Sequence, residues 1–207
     1  MKNKINKQLL FIVILLVLSI LISIMVYNKG VLNIDILAYN LIVENLRTPF
    51  LTNIMKVITM LGDANITIIV CLISSTIVFI KNKPLALVMP LNLVIITCIN
   101  QLIKIIVKRP RPIGYRLIDI GGYSFPSGHA MVSLACYGLY LYIIHKMIKN
   151  KKLKIILSTI VIITILLIGI SRIYLGVHYL SDVLVGYFTS GLYLLLITKL
   201  IDKYMIN

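Results

Sequence analysis

The stretch LLFIVILLVLSILISIMVY, Leu9 to Tyr27, runs for 19 residues without one charged side chain. As an α-helix it would be about 28 Å long, close to the ~30 Å of hydrocarbon in a bilayer. Apolar on every side, it suits lipid, where a helix satisfies its backbone internally. Similar runs recur near Ala64–Ile80, Pro84–Ile103, Ser127–Ile144, Ile155–Ile170 and Val177–Ile201. The sequence therefore predicts an all-α polytopic membrane protein, with six transmembrane helices in a single domain over residues 1–207. Composition agrees: 60% of residues are hydrophobic, 13% are charged, and the mean hydropathy is +1.03.

Between the first two runs, Gly30–Asp63 places Ile34, Leu37 and Leu41 at helical spacing among Asp35, Asn40 and Glu44. That pattern predicts an interfacial amphipathic helix, broken by Thr48–Phe50 before a second short helix. The leading MKNKINKQLL resembles the start of a signal peptide. No small-x-small cleavage site follows near Tyr27, so the first run is expected to remain as an uncleaved span. Cys71, Cys98 and Cys136 lie inside apolar runs without paired spacing, which points to packing rather than a disulfide or metal site.

The net charge of +15 does not indicate nucleic acid, because the cations sit in short segments between apolar runs. With six spans, Lys2, Lys4 and Lys7, the Lys81/Lys83 turn, the Lys146–Lys154 cluster and Lys199/Lys203 share one side. The bias of loop cations makes that side cytoplasmic, with both termini there. All five arginines, Arg47, Arg109, Arg111, Arg116 and Arg172, fall on the opposite side. Arginine offers a planar fork suited to oxyanions, so cations placed against the topological rule point to a phosphate ligand.

Three segments on the arginine side hold the reactive groups. KIIVKRPRP ends the third span, with Lys104 and Arg111 seven apart and Pro110 and Pro112 stopping the helix. In PSGH, Ser127 can cap the fourth span. Gly128 allows close backbone approach, and the first amides of the helix favour an anion. In SRIYLGVHYLSD, His178 and Asp182 are four apart and would share a helix face. The carboxylate then binds one ring nitrogen and leaves the other as nucleophile or base. His145 lies on the lysine side and is given no role.

Together the segments K-x6-R-P, P-S-G-H and S-R-x5-H-x3-D resemble the three-part signature of the type 2 phosphatidic acid phosphatase (PAP2) superfamily. All eleven fixed positions are present in order. SFPSGHAM and GISRIYLGVHYLSDVLVGY are similar to small bacterial phosphatidylglycerophosphatase B-like members. The resemblance implies that Lys104, Arg111 and Arg172 hold phosphate, with Ser127 and the Gly128 amide. It implies that His178 attacks phosphorus to give a phosphohistidine, steadied by Asp182, while His129 protonates the leaving oxygen. No metal or other cofactor is required. The expected substrate is a membrane lipid phosphate such as phosphatidylglycerophosphate or phosphatidic acid, met at the extracytoplasmic face of a bacterial plasma membrane. Undecaprenyl diphosphate, the lipid carrier of cell-wall synthesis, is the alternative.

Lys108, Arg109 and Arg116, outside the signature, are expected to attract anionic substrate or headgroups, or to touch a second phosphate. A metal site at His129, His178 and Asp182 is disfavoured by three neighbouring cations. A non-enzymatic transporter or scaffold would lack the nucleophile or the acid, and both residues are present.

Overall fold

The computed structural model describes residues 7–204, with side chains from Leu9 onward, and every regular element in it is helical. Lys2 and Lys4, and the side chain of Lys7, lie outside the described residues, so their part in the topology is not placed. Helix α1 (Lys7–Lys29) is followed by α2 (Asn33–Tyr39), a π-helical turn (Asn40–Glu44), α3 (Pro49–Met60) and α4 (Ala64–Phe79). The rest comprises α5 (Lys83–Val107), α6 (Gly128–Met147), α7 (Lys151–Tyr174) and α8 (Leu180–Tyr204).

Helix starts follow local chemistry. Thr48, Asn82, Ser127 and Asn150 cap α3, α5, α6 and α7 with side-chain oxygens that accept backbone N–H groups three residues on. Pro49 and Pro84 occupy first turns, where a missing N–H costs nothing.

Five helices, α1, α5, α6, α7 and α8, are each long and apolar enough to cross a bilayer. Helix α4 has 16 residues, about 24 Å, which falls short of the hydrocarbon thickness. It pairs with α3 across a bend of 50°, and together the two are long and apolar enough to count as a sixth, broken span. The expected interfacial stretch thus divides: α2 and the π-turn stand apart, while α3 is one arm of the bent pair. Helix α7 runs to Tyr174 rather than Ile170, and α8 begins at Leu180 rather than Val177.

Helix α6 is the hub, packed against α5, α7 and α8, with α1 on α8, α4 on α5 and α3 on α7. At the lysine-rich end, Asp202 accepts from Lys146 and Tyr142, both at 2.6 Å, which ties α8 to α6. The opposite end holds the buried polar residues Arg109, Arg172, His178, Ser181 and Asp182, and the site is built there.

Candidate active site

Four helix ends and the 108–127 loop meet at this end of the bundle. Helix α5 stops at Lys108, which takes a left-handed backbone conformation (φ 51°), and the following prolines cannot continue a helix. Lys104, one turn earlier, reaches under the loop and donates to the Tyr123 carbonyl at 2.6 Å. Ser127 starts α6, its hydroxyl accepting the Ala130 N–H at 3.4 Å.

Helix α7 ends in a glycine turn. The Gly176 N–H donates to the Ile173 carbonyl (2.9 Å) and the Val177 N–H to the Arg172 carbonyl (3.2 Å), with Gly176 at φ +72°. This reversal delivers His178 into the interior, where it is 2% exposed. A β-carbon at Gly176 would crowd the Tyr115 carbonyl and come within 2.9 Å of Arg47 Nη2, and the left-handed backbone alone costs an L-residue about 1–2 kcal/mol. Gly176→Ala is therefore expected to lower the thermal midpoint in detergent and to displace His178, with activity falling below what loss of folded protein explains.

His178 and Asp182 do not share a helix face. His178 lies in the turn before α8 and Asp182 in the helix's first turn, so an N-terminal capping geometry makes the contact. One Asp182 oxygen accepts from the Tyr179 N–H (2.9 Å), His178 Nδ1 (3.2 Å) and the Ser124 hydroxyl. A carboxylate only accepts, so Nδ1 carries the proton and Nε2 presents its lone pair. Arg111 Nη1 lies 3.0 Å from that Nε2 and also donates to the Val177 carbonyl at 2.9 Å. Its Nε and Nη2 donate to the carbonyls of Gly121 and Gly122. Burial pushes His178 down to about 3, with Arg172 and Arg111 adding to the effect, so the ring is neutral at ordinary pH.

Arg172 and Arg111 lie within electrostatic reach of both histidines, and Lys104 within reach of both arginines. Arg172, 1% exposed, donates from Nη1 to the Thr59 hydroxyl at 2.6 Å. Its buried Nε has no protein partner among the described residues. His129, on the first turn of α6, directs Nε2 to Asp63 Oδ1 at 2.7 Å. The eight residues singled out from sequence, Lys104, Arg111, Ser127, Gly128, His129, Arg172, His178 and Asp182, thus stand at one end of the bundle. Among the described residues, no three His, Cys, Asp or Glu side chains are grouped so as to hold a metal ion.

Residues 85–206, more than half of the chain, match the PAP2 superfamily. The chain belongs to that superfamily. It is 32% identical over 163 residues to phosphatidylglycerophosphatase B of Bacillus subtilis (strain 168), covering 76% of this chain and 78% of the relative. Its fold is similar to the crystal structure of a transmembrane PAP2-type phosphatidylglycerolphosphate phosphatase from the same organism. There the TM-score is 0.86 at 28% identity, over 94% of this chain and 98% of the other. Aquifex aeolicus LpxE shares the fold at a TM-score of 0.57 and 23% identity, over 78% of this chain and 92% of that one.

Around the site of this PAP2 chain stand further residues that linear reading either gave another role or passed over. Arg109 is not a cation facing solvent: it is 3% exposed and bridges Asp182 Oδ1 (2.5 Å) and Asp35 Oδ2 (2.7 Å). The expected attraction of anions thus gives way, for Arg109, to an internal ion pair. Ser181 closes the network, its N–H and hydroxyl donating to Asp35 at 2.8 and 2.9 Å. Lys108 and Arg116 are exposed, and Arg116 Nε donates to the Pro112 carbonyl at 2.7 Å. Arg47 turns inward and caps α7 through the Tyr174 carbonyl. Asp35, Arg47, Thr59 and Asp63 all precede the segment that matches the family. The signal for them was an ionisable or hydroxyl residue beside an apolar helix, which linear spacing does not connect to a site.

Proposed function

We propose that this multi-pass membrane protein is a metal-independent lipid phosphate phosphatase that works through a phosphohistidine on His178. The observation that carries the reading is the orientation of that ring: Nδ1 is held by Asp182, and Nε2 is turned to Arg111. A phosphate set against Nε2 meets the Arg111 guanidinium, the unpartnered Arg172 Nε, Lys104 and the amides that begin α6. The Ser127 hydroxyl, whose oxygen accepts a helix N–H, keeps its own proton for a phosphate oxygen.

His178 Nε2 attacks phosphorus in line. As the N–P bond forms, the bond from phosphorus to the lipid oxygen breaks, and that oxygen takes its electron pair and a proton from His129. Water then attacks phosphorus and gives a proton to His129. The N–P bond breaks, its electrons return to Nε2, and inorganic phosphate leaves. Asp182 balances the positive charge of the phosphorylated ring. Three fixed cations supply the charge neutralisation that a divalent metal provides in other phosphoryl transfers.

The substrate class follows from what surrounds His129. A cavity of about 260 Å³ between α4, α5 and α6 is lined by Thr67, Ile68, Leu93, Thr97, Gly128 and His129. It brings an apolar wall to the acid and suits the chain of a lipid. The Bacillus subtilis relative's name favours phosphatidylglycerophosphate, with phosphatidic acid as a chemically similar monoester. The lysine-rich end would face the cytoplasm of a bacterial cell, with the site at the extracytoplasmic surface.

Phosphate release from phosphatidylglycerophosphate, phosphatidic acid and undecaprenyl diphosphate, side by side in detergent with EDTA, tests the reading. Turnover should persist in EDTA and be fastest on phosphatidylglycerophosphate. Activity lost in EDTA and restored by magnesium or zinc would sink the metal-free chemistry.

A further inference from the structure

The last turn of α3 carries Thr59, the break before α4 carries Gly62 and Asp63 three and four residues later, and each of the three meets the site. Thr59 holds Arg172. Gly62 lies flat against His129: a β-carbon there would come within 2.9 Å of the ring Cδ2 and 2.8 Å of Ile168 Cγ2. Asp63, the N-cap residue of α4, accepts from His129 Nε2 at 2.7 Å. Asp63 makes no side-chain capping bond to its own helix, although that is the common use of an aspartate in this position. Its carboxylate is aimed at the histidine instead.

We propose that Asp63 is the positioning residue for His129, fixing the tautomer and ring direction that the proton transfer needs. A carboxylate can only accept, so Nε2 keeps its hydrogen throughout. Nδ1 is then the position that exchanges a proton, giving it to the departing lipid oxygen and later taking one from water. The ring is locked three ways: by the first turn of α6 that carries it, by the glycine surface against its edge, and by the hydrogen bond at Nε2. The arrangement mirrors Asp182 on His178, so each histidine of the site has its own carboxylate. Both are held at a ring nitrogen other than the one that reacts. The mirror is incomplete in one respect: Asp182 is enclosed, whereas the Asp63 side chain is 47% exposed and sits on a different span. Because α3 and α4 bend at this turn, the acid is aimed by the same element that shapes one wall of the cavity.

The inference rests on His129 acting as the acid, and leaving-group chemistry tests the two separately. An alkyl oxygen needs a proton to depart and p-nitrophenolate does not. The readout is kcat/KM, which covers steps only through departure of the leaving group. Asp63→Asn should lower kcat/KM on phosphatidic acid in micelles about tenfold, and on p-nitrophenyl phosphate by less than about twofold. Asp63→Glu should recover most of the loss. The aryl phosphate rate doubles as the control for folded protein. An equal fall on both substrates, or no fall on either, overturns the proposal. His129→Ala should show the same selectivity with a larger loss; if it hydrolyses phosphatidic acid at the normal rate, the acid assignment itself fails, whatever Asp63 does.

Discussion

His178→Ala is expected to lower phosphate release by at least about 10³-fold, because it removes the atom that bonds to phosphorus. The ring is 2% exposed, and its partners are fixed by the Gly176 turn and by Asp182. Two nearby hydroxyls are already engaged: Ser124 donates to Asp182, and Ser181 to Asp35. Brief exposure to phosphate-labelled p-nitrophenyl phosphate should leave label on the unaltered protein that is stable to base and lost in acid, as a phosphoramidate bond requires. The His178→Ala protein should carry none. His129→Ala should accumulate label, because an aryl group departs without an acid while attack by water still needs a base. Label persisting on the His178→Ala protein would place the covalent step elsewhere. Burial keeps the ring near a pKa of about 3, so Nε2 is unprotonated from pH 5 upward. Any decline in kcat/KM between pH 7 and pH 5 must then come from another group or from the substrate.

The signature positions were legible because their chemistry is local. KRPRP must end a helix, PSGH must begin one, and a histidine near an aspartate must pair or pay for burial. Span positions were legible from apolar runs, within a few residues. The difference at Val177–Leu180 arises because Gly176 turns the chain before the helix starts, and apolar residues on both sides of the turn conceal it. What could not be read were partners brought in by the first 64 residues. Asp35 looked like the polar face of an interfacial helix, yet it is 1% exposed and bonded to the start of α8. In the sequence Asp63 reads only as the last residue of the interfacial stretch before a span. Contacts between residues 66 apart (Asp63 and His129) and 146 apart (Asp35 and Ser181) depend on helix packing, which no local pattern encodes.

Arg109 gives the sharpest contrast between the two readings. A cation that gathers anionic lipid at the surface could be removed with little change in stability. Arg109 instead stands between two enclosed carboxylates, with its guanidinium also stacked 4.0 Å from the Tyr179 ring centre. Arg109→Leu leaves Asp35 and Asp182 facing each other without the charge that balances them. Removing one partner from a buried pair costs about 3–5 kcal/mol, a large share of the stability of a small domain. The variant should show a strongly lowered unfolding midpoint in detergent and little activity. Pairing the change with Asp35→Asn removes one of the two stranded charges and should recover part of the stability. Activity should recover less, because Asp182 would still lack the bond that holds it against His178. A midpoint unchanged in Arg109→Leu, with only the salt dependence of KM altered, would restore the surface role. Asp35 would reach the reaction through this bridge: it holds Ser181 and Arg109, Arg109 holds Asp182, and Asp182 holds the ring proposed to attack phosphorus. On the proposed mechanism, a segment that precedes the family's matched residues thus helps to set the aim of the nucleophile.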